Sequence, residues 1–503
     1  MSENNYAYGK IIKSTSIFGG LQLFNIIISI VRSKLVCIFI GTIGMGISGL
    51  LYATINFISG FINLGLEITA VRFISENYAN GDSNRLPKII FVLNRIIWIS
   101  GIFGVILTFI LSEWLSKVTF DNVMYTNSFR WISITLLFKQ LTVGKMAVLQ
   151  GFQKIKSLAK ANFLGSFLGL LISLPFYYYM KLDAIVPAII ISSLITLFFS
   201  TYYSSKIIFK SKIKISKDEV YKESKSIIFL GLKLSFNTIL IGLSSYCLQV
   251  YIGKNGGFSN VGLYNAGFVI LNSYVGLIFT SMATDYLPRL SAVINDQIKS
   301  NQVVLEQTLI GVLIITPIIT VFVLFSKYLV LILFSNEFLK IVPMVTIGIL
   351  GMIFRVVSFS IGYMVILKAN TKLFLKCAVG FNVLNFVLSI LGYHFYGLLG
   401  LGIAFVIHYL LHFIFVKIIS FYEFNFVFNS EFIKIYSICL GCCFGTFLSV
   451  FIENNFFRSG LLGLLTIFSS VFSFYEINKK VDVISVLSKM KNKIFGLNFK
   501  KRI

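Results

Sequence analysis

The sequence is dominated by long apolar stretches that leave little room for a water-soluble domain. About fourteen stretches reach the roughly 20 mostly apolar residues that a membrane-spanning helix needs. Hydrophobic residues make up 57% of the 503 positions and charged residues only 13%, against about 25% in ordinary soluble domains. A soluble protein of this size has no core large enough to bury so much apolar surface. We therefore predict an all-α protein that crosses a membrane many times.

The predicted spans follow one another with short loops. They are 14–40, 47–68, 89–111, 129–150, 159–180, 184–205, 226–252, 262–287, 305–326, 341–367, 371–393, 398–420, 433–453 and 457–475. The longest cytoplasmic loop predicted, 206–225, is rich in lysine and divides the chain near its middle. We predict an N-terminal six-helix half (1–205), a basic linker (206–225), a second six-helix half (226–420), two additional helices (421–475) and a basic tail (476–503).

The distribution of lysine and arginine predicts the orientation of these spans. If the N-terminus is cytoplasmic and basic residues at the cytoplasmic ends of spans are counted with the loops, 30 of the 44 basic residues lie in cytoplasmic segments, 6 lie in outside loops and 8 lie within spans. Cytoplasmic loops of membrane proteins carry such an excess, so both termini are predicted to be cytoplasmic. The net charge of +25 is then explained by loops and in-span side chains, and no nucleic-acid partner is expected.

Cysteine and histidine patterns indicate no metal centre. The six cysteines all lie in apolar stretches, where we interpret them as small hydrophobic side chains. His408 and His412 are spaced i, i+4, but no third ligand is nearby, and we favour hydrogen bonding between helices. A proton relay through His408 stays open. We predict no metal site, no catalytic residues and no cofactor.

Basic residues inside the spans are the most informative feature for function. They are Arg32, Lys34, Arg95, Arg130, Lys139, Lys145, Lys233 and Arg355. A charge at the bilayer centre costs about 2.5–3.5 kcal/mol on insertion scales, so such residues usually face a partner or a cavity. Lys139 and Arg355 lie near mid-span and are predicted to line a cavity. Several of the others lie close enough to an interface for their side chains to reach water.

Polar residues at helical spacing accompany these charges on three spans. The stripes are Gln22, Asn25, Ser29 and Arg32 on the first span, Asn56, Ser59, Asn63 and Glu67 on the second, and Lys233, Asn237, Ser244 and Tyr251 on the seventh. Such stripes either bind helices to one another or line water. Because two of them carry cations, we favour a shared hydrated cavity, whose positive charge suits an anionic passenger.

A weak internal repeat relates the first and seventh spans. Each ends in an Ile-Gly pair, Ile40-Gly41 and Ile252-Gly253, followed by a glycine-rich linker and a Gly-Leu…Tyr sequence. Glycine suits such linkers because it accepts positive φ angles. The repeat predicts two parallel six-helix halves, a known design of transporters.

Two segments near the N-terminus resemble the Wzx-type O-antigen translocases. Residues 34–46 read KLVCIFIGTIGMG, similar to the ending of the first span in that family. Residues 63–76 read NLGLEITAVRFISE, similar to the ending of its second span. These translocases are the polysaccharide transporter branch of the MOP superfamily, which also contains MATE exporters and the lipid II flippase. The close match covers roughly residues 10–80.

The resemblance implies a flippase and not an enzyme. It would move an undecaprenyl-pyrophosphate-linked oligosaccharide, such as an O-antigen unit of lipopolysaccharide, from the inner to the outer leaflet of a bacterial inner membrane by alternating access. The implied partners are this glycolipid, membrane lipid, a polysaccharide polymerase and glycosyltransferases. Candidate substrate contacts are Arg32, Lys34, Lys139, Lys233 and Arg355. Candidate gate or ion-coupling residues are Glu67, Arg72, Asp285, Arg289 and His408.

Two other functions stay open at this level. A MATE-like, ion-coupled exporter of small molecules would require acidic residues in the cavity, and the excess of cations argues against it. A polysaccharide polymerase or ligase would require a long outside loop, and the loops here are short. For a flippase, coupling to a proton or sodium gradient is an expectation from the family, and Asp285–Arg289 equally suits a plain i, i+4 helix salt bridge.

Overall fold

The computed structural model describes residues 2–81, 85–207, 216–368 and 371–481, with side chains from residue 27 onward apart from 217, 371, 372, 374 and 481. Within these ranges the backbone is almost wholly helical and contains no strand. This confirms the predicted all-α fold class. A helix satisfies its own backbone amides and carbonyls, which is the condition for crossing a lipid bilayer.

Fifteen α-helices follow one another in the described residues. The first eight are α1 (Ser2–Ile62), α2 (Leu66–Ala79), α3 (Arg85–Ile110), α4 (Ser112–Phe120), α5 (Thr126–Gly151), α6 (Ile155–Met180), α7 (Ile185–Ser205) and α8 (Lys217–Phe268). The remaining seven are α9 (Leu277–Val293), α10 (Gln297–Leu333), α11 (Val342–Gly348), α12 (Met352–Lys368), α13 (Thr371–Phe424), α14 (Ser430–Ser449) and α15 (Asn455–Val481). A π-helical segment, Val269–Tyr274, separates α8 from α9.

Ten segments of the described residues are long and apolar enough to cross a membrane. Four of them each overlap two of the predicted spans, namely Ile27–Ile62, Ile155–Ser205, Asp218–Val293 and Leu375–Phe424. The other six each overlap one. The protein is therefore a multi-pass membrane protein, and each of the fourteen predicted stretches overlaps one of the ten segments, although several of the predicted ends lie outside them.

Contacts group the chain into two compact units. Unit 1 is Met1–Ala266 with Leu331–Leu339, and unit 2 is Gly267–Val330 with Lys340–Ile503. In unit 1, α5 packs against α2, α3 and α7, and α6 packs against α1 and α7. In unit 2, α13 packs against α11 and α12, and α14 packs against α15. The predicted domain boundaries, which rest on span counts, stay a prediction.

Three long helices bend at a glycine with a positive φ angle. The bends are at Gly41 in α1 (φ 63°), Gly257 in α8 (φ 77°) and Gly397 in α13 (φ 56°). Glycine is needed there because a side chain strains this backbone conformation. The sequence comparison aligned Gly41 with Gly253, and this register is wrong for the bend. The bend occurs at Gly257, which is 216 positions after Gly41.

The two bent linkers pack against each other reciprocally within unit 1. A Cβ atom on Gly46 would lie 1.8 Å from the carbonyl oxygen of Phe258, and one on Gly262 would lie 2.0 Å from that of Thr42. Phe258 and Gly262 each lie 216 positions after Thr42 and Gly46. The internal repeat is therefore real at the backbone level, with an offset of 216 between positions 42 and 258 and between 46 and 262.

The second predicted span ends earlier than expected, and the prediction of 47–68 is wrong at this end. Helix α1 stops at Ile62, and Leu64 (φ 51°) and Gly65 (φ 68°) form a turn before α2 begins. The turn packs against α8 so closely that a Cβ atom on Gly65 would lie 2.0 Å from the carbonyl oxygen of Gly231. The polar stripe predicted on this span is interrupted, because Glu67 belongs to the next helix.

The basic linker is partly helical. Residues 208–215 lie outside the described residues, and α8 begins at Lys217. Two ion pairs tie its first turns to the start of α3, Arg85–Glu223 at 3.2 Å and Lys88–Glu219 at 3.4 Å. Of the predicted basic tail, residues 476–481 continue α15 and the rest lies outside the described residues.

Candidate functional site

Lys139 lies on α5 of unit 1 and is bound by the part of α1 that follows the bend at Gly41. Its ammonium Nζ donates a hydrogen bond of 2.6 Å to the side-chain oxygen of Asn56. The Glu67 carboxylate acts electrostatically on it, without forming an ion pair. The structure therefore brings together a predicted cavity lysine, a residue of the predicted polar stripe and a predicted coupling residue.

The neighbouring residue Gln140 makes a second set of polar contacts, which the sequence analysis missed. Its side chain is 1% exposed, and its Nε2 donates to the carbonyl oxygen of Ile62 at 3.2 Å and to Ser100 Oγ at 2.9 Å. It thus satisfies a carbonyl at the end of α1 that has no partner within the helix. The sequence feature that could have identified Gln140 is a polar residue next to Lys139 within an apolar span.

Glu67 and Arg72 are both exposed on α2. No ion pair joins them in the part of the chain that the structure describes. Their separation of five residues along a helix places the side chains on different faces, since neighbours on one face are three or four residues apart. Any gate role must therefore belong to Glu67 or Arg72 individually and not to an ion pair between them.

Arg32 is held by tyrosine hydroxyls. Its guanidinium donates to Tyr52 Oη at 3.3 Å and also interacts with Tyr177, whose side chain is buried. Ser29, one turn earlier, is exposed, while Gln22 and Asn25 lie outside the residues whose side chains are described. The two tyrosines were not predicted, because they come from distant positions in the sequence.

Lys34 has a different environment from the one predicted. Its ammonium donates to the carbonyl oxygens of Leu331, at 2.6 Å, and of Phe334, in the segment Leu331–Leu339 of the same unit. Cations stabilise such carbonyls at the C-terminal end of a helix. In return, Glu337 accepts a hydrogen bond of 3.3 Å from the backbone amide of Thr42, directly after the bend in α1. Two charges thus bind this segment to α1.

Lys233 is exposed on α8, and its ammonium lies 4.2 Å from the ring centre of Phe229 one turn earlier. This is a cation–π contact along a single helix. The structure does not bring Lys233 into hydrogen-bonding contact with the Lys139 cluster among the described residues.

Arg355 lies in the first turn of α12 in unit 2. Its Nη1 donates to the side-chain oxygen of Asn272 at 3.0 Å. The guanidinium also lies over two aromatic rings, 4.8 Å from the centre of Phe279 and 5.1 Å from that of Tyr409. No acidic side chain is within ion-pair distance of it in the described residues.

The partner of Arg355 lies in the π-helical segment Val269–Tyr274, which the sequence did not indicate. Single π-helical turns occur mostly within α-helices and frequently at functional sites. Here the wider turn carries Asn272, which holds the only basic side chain predicted at mid-span in the second half.

His408, which is buried, and His412, which is half-buried, lie near Arg355. Their ring centres are 6.0 Å apart on α13, and Arg355 acts electrostatically on both. Each Nδ1 atom is buried without a hydrogen-bond partner in the described residues. No group of three potential metal ligands occurs in the described part of the chain.

Asp285 and Arg289 form the i, i+4 ion pair, at 2.8 Å on α9. Arg289 also donates to Gln307 of α10 at 3.0 Å. The pair is largely exposed on the aspartate side, where 74% of the side-chain surface is accessible. Its geometry fits a helix salt bridge with one additional contact to the next helix.

Lys139–Asn56 and Arg355–Asn272 occupy equivalent positions in the internal repeat. Each pair is separated by 83 positions along the chain. Asn272 lies 216 positions after Asn56, and Arg355 lies 216 positions after Lys139, the same offset as between the bends at Gly41 and Gly257. Each repeat therefore carries a basic side chain bound to an asparagine amide.

The comparisons with known proteins agree with this fold. The model of the polysaccharide biosynthesis protein family matches residues 40–343. No curated protein matches the chain. Among solved structures, the lipid II flippase MurJ in an inward closed conformation has a TM-score of 0.66 at 16% identity, covering 93% of this chain and 99% of MurJ.

Two further solved structures show the same fold. An inward-facing multidrug resistance MATE transporter of the MOP superfamily has a TM-score of 0.65 at 14% identity, covering 78% of this chain and 94% of its own. A MOP superfamily transporter from Pyrococcus furiosus, described as having a binding pocket of reverse polarity, has a TM-score of 0.58 at 13% identity, covering 82% and 96%. The family match extends over more than half of the sequence, so this chain, a multi-pass membrane protein with the fold of MOP transporters, belongs to the polysaccharide biosynthesis protein family.

Proposed function

We propose that this protein is a flippase for a polyprenyl-pyrophosphate-linked oligosaccharide. It moves the glycolipid from the inner to the outer leaflet of a bacterial inner membrane by alternating access, as one step in making a surface polysaccharide such as O-antigen. The family supports the link to polysaccharide biosynthesis, and the shared fold with a lipid II flippase supports transport. The glycolipid is the proposed substrate, and polymerase and glycosyltransferases are the proposed partners.

The observation that carries this proposal is the repeated cation–asparagine pair. Lys139 and Arg355 lie in membrane-spanning segments, and each is bound to a neutral amide and not to an acid. A lysine ammonium has three N–H donors and an arginine guanidinium five. Since the bond to asparagine uses only one N–H of each side chain, both retain N–H donors for an anion, and pyrophosphate is an anion that such groups bind well.

The other proposed contacts differ in how many of their N–H donors are available to a substrate. Arg32 retains donors beyond its tyrosine partners, and we propose it as a third contact. Lys34 directs its ammonium at two backbone carbonyls, and Lys233 is exposed. Both stay in the proposed set on the strength of their charge. Glu67, Arg72, Asp285, Arg289 and His408 stay proposed as gate or coupling residues.

Transport of the glycolipid is the direct test. Purified protein in proteoliposomes should move a fluorescent undecaprenyl-pyrophosphate-linked oligosaccharide to the opposite leaflet, and a proton or sodium gradient should change the rate. Flipping that ignores both gradients would support exchange without ion coupling. Absence of glycolipid movement together with export of cationic dyes would contradict the proposal and favour a MATE-like exporter.

The proposed orientation places both termini in the cytoplasm. In a cysteine-free variant, a membrane-impermeant thiol reagent added from outside should label Asn255→Cys and leave Lys214→Cys unlabelled. Asn255 is exposed next to the bend in α8, so the reagent can reach it. The reverse labelling pattern would invert the topology.

A further inference from the structure

Unit 2 contains two histidine side chains that the proposed substrate contacts do not use. His408 is buried and His412 is half-buried, and they lie one turn apart on α13 within a membrane-spanning segment. Each has an Nδ1 atom that is shielded from solvent and has no hydrogen-bond partner in the described residues. Buried polar atoms without a partner are rare in folded proteins. Since a neutral imidazole has one nitrogen whose lone pair can take a proton, the pair is a candidate proton site.

Ring contacts join this histidine pair to Arg355. The guanidinium lies 5.1 Å from the ring centre of Tyr409. The ring centre of Tyr409 lies in turn 4.9 Å from that of His408 and 6.3 Å from that of His412. Two short steps therefore separate the guanidinium from either imidazole, and charges at such separations interact appreciably where little water screens them.

The helices packed against α13 bring one charged group to the histidine pair. Helix α11 and the turn that follows it contain no titratable residue. On α12, Arg355 acts electrostatically on both imidazoles. The other titratable residues of α12 face elsewhere, since Tyr363 contacts α9 and Lys368 donates to side chains of α10.

The remaining neighbours of the histidine pair are uncharged. Tyr409 contacts both imidazoles from α13 itself, and Phe381, in the first part of α13, has its ring centre 4.2 Å from that of His412. Tyr436 of α14 contacts the same helix, and its hydroxyl has no partner among the described residues. No acidic side chain acts on either imidazole in the part of the chain that the structure describes. The charge to which a proton on the pair responds is therefore that of Arg355.

We infer that His408 and His412 form a proton site linked to the anion site at Arg355, so that binding of pyrophosphate and uptake of a proton by the pair favour each other. This inference rests on the proposed function and adds a second ligand to its unit 2 site. A proton on the pair and the guanidinium repel each other, and a bound anion offsets that repulsion. The proton comes from the aqueous solution and returns to it when the anion leaves.

The link between the two ligands has a defined sign. Coupling between binding sites is reciprocal, so an anion that promotes protonation is itself bound more tightly when the pair is protonated. A lower pH should therefore tighten binding of the glycolipid. The proton also offsets negative charge inside a membrane-spanning segment, where an uncompensated charge is costly.

The test is the affinity for the fluorescent undecaprenyl-pyrophosphate-linked oligosaccharide in lipid nanodiscs at about pH 5 and about pH 8, the range that histidine covers. Both phosphates of this diester stay ionised over that range, so its own charge is constant. The parental protein should bind about fivefold or more tightly at the lower pH. The double variant His408→Gln, His412→Gln should bring this ratio close to one. His394→Gln, which removes an exposed histidine of the same helix, should keep the parental ratio.

A second measurement needs no substitution. Addition of the glycolipid to the parental protein in weakly buffered solution should raise the pH, because the histidine pair takes up protons. Equal affinity at both pH values, no proton uptake, or parental pH dependence in the double variant would each overturn the inference. If glycolipid flipping persists in that case, the proposed function stands without a proton site. Absence of glycolipid binding at both pH values would contradict the proposed function itself and this inference with it.

Discussion

The Lys139 and Arg355 regions place a cation at equivalent positions of the repeat but surround it differently. Lys139 is bound to Asn56 close to the break in α1, with the Glu67 carboxylate near enough to act on it. Arg355 is bound to Asn272 in a π-helical turn and lies over two aromatic rings. The common element is a positive charge held by an amide.

The difference lies in how tightly the geometry of the charge is fixed. A lysine ammonium is a point charge on a flexible chain, whereas a guanidinium is planar and directs its donors. The rings of Phe279 and Tyr409 fix the plane of Arg355. We therefore expect the unit 1 site to require only the positive charge of Lys139. The unit 2 site should require both the charge and the planar guanidinium of Arg355.

Removing either charge should have the largest effect. We expect Lys139→Ala and Arg355→Ala each to lower glycolipid flipping by about tenfold or more, and the double variant by about a hundredfold, since loss of a hydrogen-bonded charge costs roughly 2–5 kcal/mol. Flipping is measured in proteoliposomes at equal protein content. Lys254→Gln, which removes an exposed charge, is the matched control. Near-normal flipping by the double variant would contradict the role of both residues.

Disrupting the backbone contact between the two glycine-rich linkers should have the second-largest effect, and that effect is on stability. Gly46→Ala or Gly262→Ala places a Cβ atom within 2.0 Å of a carbonyl oxygen, and such overpacking costs about 1–3 kcal/mol. Thermal unfolding in detergent should show a lower midpoint for both variants. Gly362→Ala, on α12 with open space around it, should unfold at the parental temperature or above. Equal midpoints for all three would show that the linkers move apart at no cost.

Replacing each cation with the other kind should have the smallest effect on flipping and should distinguish the two sites best. Arg355→Lys keeps the charge but loses the planar guanidinium, so we expect flipping to fall severalfold and not to vanish. Lys139→Arg should keep near-parental flipping, because charge is the requirement there. A larger loss of flipping in Lys139→Arg than in Arg355→Lys would contradict our prediction that the planar guanidinium matters at position 355 and not at position 139.

Much of the fold follows from the sequence because lipid imposes a simple rule. An apolar stretch of about 20 residues crosses the membrane as a helix, and each of the fourteen predicted stretches overlaps one of the ten apolar helical segments of the structure. The repeat was also visible, since Gly41 and a glycine-rich linker recur near position 257. Its register was placed four residues off, because Ile-Gly pairs match at Gly253 while the backbone bends at Gly257.

The candidate site was predictable only in part. In-span charges stand out in an apolar sequence, so Lys139 and Arg355 were identified, and Asn56 was found from its helical spacing. Asn272, Gln140 and Tyr177 were missed because polar and aromatic residues are common at helix contacts and the partner of each is distant in sequence. The use of Lys34 on backbone carbonyls could not be predicted, because a carbonyl carries no residue-specific signal.

The sequence by itself determined that this chain is an all-α membrane protein, which residues carry charge into the membrane and that a glycine-rich linker recurs after the first and seventh predicted spans. These properties depend on the transfer of each residue between water and lipid and on local backbone sterics. Only the tertiary structure decided which neutral partner each charge binds, where α1 breaks and which backbone carbonyls Lys34 contacts. Those features depend on the packing of residues far apart in the chain, where distances of a few ångströms decide whether a contact exists.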